Sequence, residues 1–299
     1  MNTRSREAEA ATDGATVRHG PSLQRLSALL TNHIRRRIGE RKFLFDGRLG
    51  DPGLGLVAPL DLSLFRDQPA LLDKLRQPES GTALALNSFA LWQRAPGELE
   101  LAGIRGFREV LLNLRCPTGI RGTPPHLDVL ARGQRALVAV SARGLDYLCR
   151  HTGRVAPAYL ELSPPADLRP WFELLCDLAA RRVTYRFLNA AMLGKLALAL
   201  GRTFPEHRIH LFQLFLEPRD AEDYEPFARH RAELRAVQER VRESRVTFSF
   251  DSFTAVWRLW AGRDEPPWLR QLVSQLEARY DIAVAARPAV GFPMAVARR

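Results

Sequence analysis

Asp128, Ser141 and Arg143 have the types and spacing on which the chemistry of this chain turns. They lie in Cys116–Arg143, CPTGIRGTPPHLDVLARGQRALVAVSAR. It reads as a Gly/Pro-rich loop, a strand ending near Asp128, a tight turn at Gly133-Gln134 and an apolar strand through Ser141. A carboxylate on one strand, set against a polar position on the next, can hold a divalent cation against a phosphate oxygen. A two-residue turn places Asp128 opposite Ala139, with Ser141 diagonal to it on the same face and Arg143 one step further. His126 shares that polar face and falls opposite Ser141, while Leu127, Val129, Val138 and Val140 form the apolar face. A competing reading is structural: an acid near a strand end can be satisfied by backbone or Arg, and a lone histidine by a hydrogen bond.

For those residues to converge, the chain must build a sheet and cover it. Gly106–Arg115 (GFREVLLNLR) alternates as a strand before the hairpin, and His207–Leu216 and Arg245–Phe250 supply two more. Helical stripes occupy Ser22–Arg37, Phe65–Arg76, Leu168–Ala180, Leu188–Leu200, Phe253–Trp260 and Trp268–Tyr280. Asp223–Glu243 is a long charged helix with acid/base pairs at i, i+4, which predicts a solvent face. Asn87 or Ser88 is a plausible cap for an apolar segment whose Phe89 and Trp92 read as core anchors. The loop after Gly106–Arg115 carries two glycines and three prolines, so its backbone is well specified, and Arg115 and Arg121 are placed to reach a phosphate. The order is mixed α/β, without an internal repeat.

Composition sets outer limits. The 299 residues are 46% apolar, enough for a sizeable core. Net charge is +11, which permits a polyanionic partner such as double-stranded DNA. All but three of the 44 basic residues are Arg, the exceptions being Lys42, Lys74 and Lys195, a pattern that a GC-rich coding bias also produces. Cys116, Cys149 and Cys176 are widely spaced without a C-x-x-C pair, which predicts reduced thiols and a cytoplasmic protein. No stretch reads as a signal peptide or membrane span, so no membrane partner is expected.

NSFALW, CPTGIRGTPPHLDVL, VAVSARGLDYL, FLNAAMLGKL and LFQLFLEP, in that order, resemble a bacterial family of restriction endonucleases in the PD-(D/E)XK nuclease superfamily. The resemblance covers roughly 87–280, and the CPTG-x-RGTPP-x-LD run is its most specific part. It implies a restriction-endonuclease-like mixed central sheet flanked by helices over residues 81–285. Before it would come a disordered segment, 1–20, and a helical N-terminal region, 21–80; a C-terminal tail, 286–299, would follow. It also implies Mg2+-dependent hydrolysis of DNA phosphodiesters, with carboxylates holding the metal and a Lys assisting at the phosphate or the attacking water.

The departures carry as much weight. Asp128 falls on the motif's first Asp, but Ser141 and Arg143 stand where the family pattern has E-x-K. In the later helix the matching positions hold Asn189, Met192, Lys195 and Leu196, so only the Lys is kept. Ser removes a charged oxygen ligand, and Arg grips phosphate in a fork but cannot transfer a proton. The expectation is a pseudoenzyme that keeps DNA contact through Arg115, Arg121 and Arg143 and has lost most cleavage. An active endonuclease would need a relocated acid, for which Glu109 on the preceding strand is the candidate second metal ligand beside Asp128. His126 could then join a softer ion such as Mn2+. A third reading keeps only the fold, as an interaction module whose protein partner the sequence leaves open.

Overall fold

The computed structural model describes residues 20–58, 60–116, 124–149, 151, 153–262 and 266–285. Arg121, the N-terminal segment 1–19 and the tail 286–299 lie outside the described residues. In chain order the helices and strands are α1 (Leu23–Ile38), α2 (Pro69–Leu75), α3 (Gly81–Phe89), β1 (Glu109–Arg115), β2 (His126–Arg132), β3 (Ala136–Arg143) and α4 (Pro157–Leu160). They continue with α5 (Arg169–Ala179), α6 (Ala190–Thr203), β4 (Arg208–Phe215), α7 (Glu225–Arg240), β5 (Val246–Ser252), α8 (Phe253–Trp260) and α9 (Pro267–Tyr280).

The five strands form one mixed sheet in the order β1-β2-β3-β4-β5. β1, β2 and β3 are antiparallel neighbours, and β3, β4 and β5 run parallel. The inner strands are covered on both faces: β3 has only its end residues less than buried and β4 is buried from Leu211 onward, whereas the edge strand β5 is polar at Thr247, Ser249 and Asp251. The α5–α6 pair packs against β4 and β5, with Trp171 Nε1 donating to the Val246 carbonyl at 2.8 Å. α3 covers β1, β2 and β3 and meets α9, which in turn packs on α1. Leu26, Leu30 and Ile34 of α1 belong to the same core cluster as the sheet, so the N-terminal helix shares the core of residues 81–285.

Several local expectations need correction. The apolar segment at Asn87 is the end of α3, not a start. Its cap is Ser80, which accepts from the Ala83 N–H, and Asn87 and Ser88 are buried. There Asn87 donates to the Gly55 carbonyl and Tyr280, and Ser88 accepts from Trp257. Phe89 and Trp92 are core anchors, at 0% and 2% exposure. Residues 65–76 divide into a 3-10 turn ending at Phe65 and helix α2, because Pro69 restarts the helix at its first turn. The charged helix α7 is not wholly solvent-facing: Phe227, His230, Leu234 and Val237 are buried beneath its charges.

Candidate functional site

The β2–β3 hairpin turns over a three-residue loop, Gly133–Arg135, closed by the Gly133 N–H donating to the Ala136 carbonyl at 2.8 Å. The turn is centred one residue later than expected, on Gln134 and Arg135, so the register moves by two: Val129 pairs with Val140 and Arg132 with Leu137. Extended by one step, the register sets Asp128 opposite Ser141 rather than Ala139, and by three steps His126 opposite Arg143 rather than Ser141. A shift of two leaves every side chain on its original face. Asp128 is also the third residue of β2 and not near its end.

Pairing between β2 and β3 stops at Val129–Val140. Beyond it β3 follows β4 as far as Arg143–Phe215, and β2 follows β1 as far as His126–Arg115. The sheet forks there, and Asp128 sits in the fork. On its other side the β1–β2 ladder skips the Asn113–Asp128 step, where Asn113 is in the left-handed region at φ 55°. Asp128 therefore stands where neither neighbouring ladder is paired. Its own carboxylate closes the gap: Oδ2 accepts from the Ala142 N–H at 2.8 Å, and Oδ1 accepts from Thr82 Oγ1 at 3.1 Å.

The wedge in the fork is the start of α3. Gly81 touches the end of β3 so closely that a Cβ there would lie 2.7 Å from both the Ala142 carbonyl oxygen and the Gly144 N. A Cβ at Gly144 would collide with the Glu79 carbonyl oxygen. Glycine at both positions lets helix and strand approach backbone to backbone. Thr82, in the first turn, is thereby aimed at Asp128, and Lys74 of α2 lies behind it, with Nζ 3.5 Å from Thr82 Oγ1.

Electrostatically this end of the sheet is a carboxylate among cations. Burial raises the Asp128 pKa above the usual carboxylate range, against the pull of the Ala142 hydrogen bond, the Arg143 charge, the Thr82 hydrogen bond and the Lys74 charge. His126 is held below its ordinary value, first by burial, with Lys74 and Arg115 adding to it and Asp128 opposing. Lys74, Arg115, His126 and Arg143 thus share one field with Asp128. Arg143 is part-buried and pairs with Asp146 at 3.5 Å, and Ser141 is buried.

Two candidates lie elsewhere. Glu109 pairs with Arg132, its cross-strand partner at the far end of the ladder from Asp128, so it is not a second acid for that site. Lys195 of α6 donates to the Arg154 carbonyl at 2.7 Å and lies over the Tyr159 ring, with its pKa lowered by burial. Conversely, Lys74 and Thr82 belong to the site and were not identified from the sequence. The available signals were the scarcity of lysine and the Ser-Gly-Thr helix start at 80–82.

No family model, curated protein or solved structure matches this chain. The site must therefore be judged on its own residues.

The Mg2+ that the resemblance implies does not fit this donor set. Mg2+ takes six oxygens in octahedral geometry, usually including one or two carboxylates. Here both oxygens of Asp128 already accept a hydrogen bond, and the surrounding charges are cationic. Among the described residues, no three His, Cys, Asp or Glu side chains gather where they could hold a metal ion. What the arrangement can do is bind an anion, since phosphate oxygens suit Lys and Arg at the mouth of a polar fork. Among the described residues no helix is long and apolar enough to cross a membrane.

Proposed function

We propose that this chain is a restriction-endonuclease-like protein, impaired in catalysis, that binds duplex DNA at the cationic end of the β2–β3 fork. The observation that carries the reading is the state of Asp128: a carboxylate engaged by Ala142 and Thr82, flanked by Lys74, Arg115, His126 and Arg143, and joined in no metal-binding group among the described residues. A mixed five-stranded sheet flanked by helices agrees in class with the fold the resemblance implies. Replacement of E-x-K by Ser141 and Arg143 removes a metal ligand while keeping a phosphate-gripping cation. The relocated acid an active nuclease would need finds no support, because Glu109 is committed to Arg132. Three cysteines, all free, are in keeping with a reducing, cytoplasmic setting.

The test is a salt titration of duplex binding by fluorescence anisotropy, comparing wild type with Lys74→Ala/Arg115→Ala/Arg143→Ala. Each lost phosphate contact flattens the plot of log K against log salt by about 0.9, so the triple variant should lose about 2.7 from the slope. Equal slopes would remove these residues from the interface. Absence of salt-dependent binding by wild type would leave the chain as a fold-only interaction module.

A further inference from the structure

We infer, resting on the reading that the fork grips duplex DNA, that the 43–49 hairpin carries an apolar wedge which enters between base steps of the same duplex. Phe45 is wholly exposed at its tip, and Leu44 beside it is 45% exposed. Among the described residues no large apolar side chain is more exposed than Phe45. A ring held in water gains by burial, and a phosphate backbone cannot bury it. A base step can, and Phe and Leu are among the side chains that unstack one.

The tip is firmly held. Phe43 and Leu49 form an antiparallel bridge, the Leu44 N–H donates to the Arg48 carbonyl at 2.7 Å, and Gly47 turns the chain at φ 82°. Asp46 Oδ1 accepts from the Arg48 N–H at 3.0 Å across the turn. Below it Leu49 is fully buried, and its N–H donates to the Arg76 carbonyl at 2.8 Å. A side chain on so constrained a turn loses little freedom when it inserts.

Charge around the tip fits the same partner. Between 35 and 48 stand six cations, Arg35, Arg36, Arg37, Arg41, Lys42 and Arg48, and two acids, Glu40 and Asp46. Arginines already hold both acids, Arg35 pairing with Glu40 at 3.2 Å and Arg48 with Asp46 at 3.4 Å. Arg36, Arg37, Arg41 and Lys42 are exposed. Cations flanking an apolar tip match phosphates flanking a base step. The hairpin also joins the fork: Arg48 donates to Asp73 Oδ1 at 2.7 Å, and the next residue is Lys74, which lies behind Thr82 and Asp128. One turn of duplex, about 34 Å, spans both. A bilayer also accepts an apolar tip, but its hold grows with apolar area, and from this turn only Leu44 and Phe45 protrude.

The test uses full-length protein and a short duplex labelled at both ends. Anisotropy reads binding, and end-to-end energy transfer reads kinking. Wild type should raise the transfer at saturation, because such wedges kink a duplex by about 20–90°. Phe45→Ala should bind about tenfold more weakly and without that rise, at unchanged melting temperature. Its plot of log K against log salt should keep the wild-type slope, since no phosphate contact is lost. Salt-dependent binding by wild type without a rise, or equal affinity and rise in Phe45→Ala, would overturn the wedge and leave the fork standing. No salt-dependent binding by wild type would overturn both. Vesicles of phosphatidylserine and phosphatidylcholine form the last arm. Phe45-dependent binding to them, with duplex binding unchanged by Phe45→Ala, would give the tip to a membrane and overturn the proposal.

Discussion

At the residue scale, Asp128 is a clasp before it is anything catalytic. It accepts the Ala142 N–H that β2 would otherwise leave unpaired where the strands part, and it fixes Thr82 of α3. Asp128→Ala strands those donors and should lower stability by about 1–3 kcal/mol in urea denaturation. Asp128→Asn keeps an acceptor for Ala142 and adds a donor toward Thr82. It also removes a carboxylate whose pKa burial raises, a charge the folded state disfavours at neutral pH. The Asn variant should therefore be at least as stable as wild type at pH 7. Without metal it should bind duplex DNA about fivefold more tightly, as expected for removing ~1 kcal/mol of repulsion beside the phosphates. Looser binding by the Asn variant would count against the proposed interface.

Among the elements, the fork depends on the close approach of α3 to β3. Gly144→Ala would drive a Cβ into the Glu79 carbonyl, and the overpacking should cost about 1–3 kcal/mol by chemical denaturation, without touching a charged residue. This scale also separates what was legible in the sequence from what was not. Alternation in 126–143 revealed the hairpin, its apolar face and the isolation of Asp128 as a carboxylate. Register was hidden in the position of the turn, since a turn on Gly133-Gln134 reads as easily as one centred a residue later, on Gln134 and Arg135. Glu109 looked near Asp128 because its strand is the neighbour, yet antiparallel pairing sends it to the opposite end, beside Arg132. Lys74 and Thr82 reach the site only because α3 folds over the sheet and α2 packs against α3, which no local pattern announces.

The whole molecule carries one buried histidine, His230, and one half-buried, His210, whose titration should shape its stability. Burial depresses His230 to about 3 and His210 to about 4, from an ordinary 6.5. His230 is fully buried against Tyr147 and Phe215, and the nearby charges of Arg231, His151 and Arg143 also disfavour its protonation. A histidine depressed on folding stays neutral while the unfolded chain takes up a proton. Stability is therefore complete above about 6.5 and is lost as pH falls toward the folded value. Glu217 acts in reverse: burial raises it to about 7 despite Arg231, so its folded form holds a proton that the unfolded chain releases above about 4.5. Its contribution grows as pH falls from 7 to 4.5 and offsets one histidine. His230→Phe should accordingly flatten the acid limb by about 1.4 kcal/mol per pH unit below 6.5, read from urea midpoints across pH. An unchanged limb would mean that His230 is not held neutral.

The proposal that the chain grips DNA and does not cut it through Asp128 also concerns the whole molecule. It is tested most directly by supercoiled-plasmid nicking in Mg2+ and in Mn2+, at protein concentrations that saturate the DNA, for wild type and Asp128→Ala. Bound plasmid with the same background nicking in both proteins is expected. Metal-dependent nicking by wild type that Asp128→Ala abolishes would contradict it.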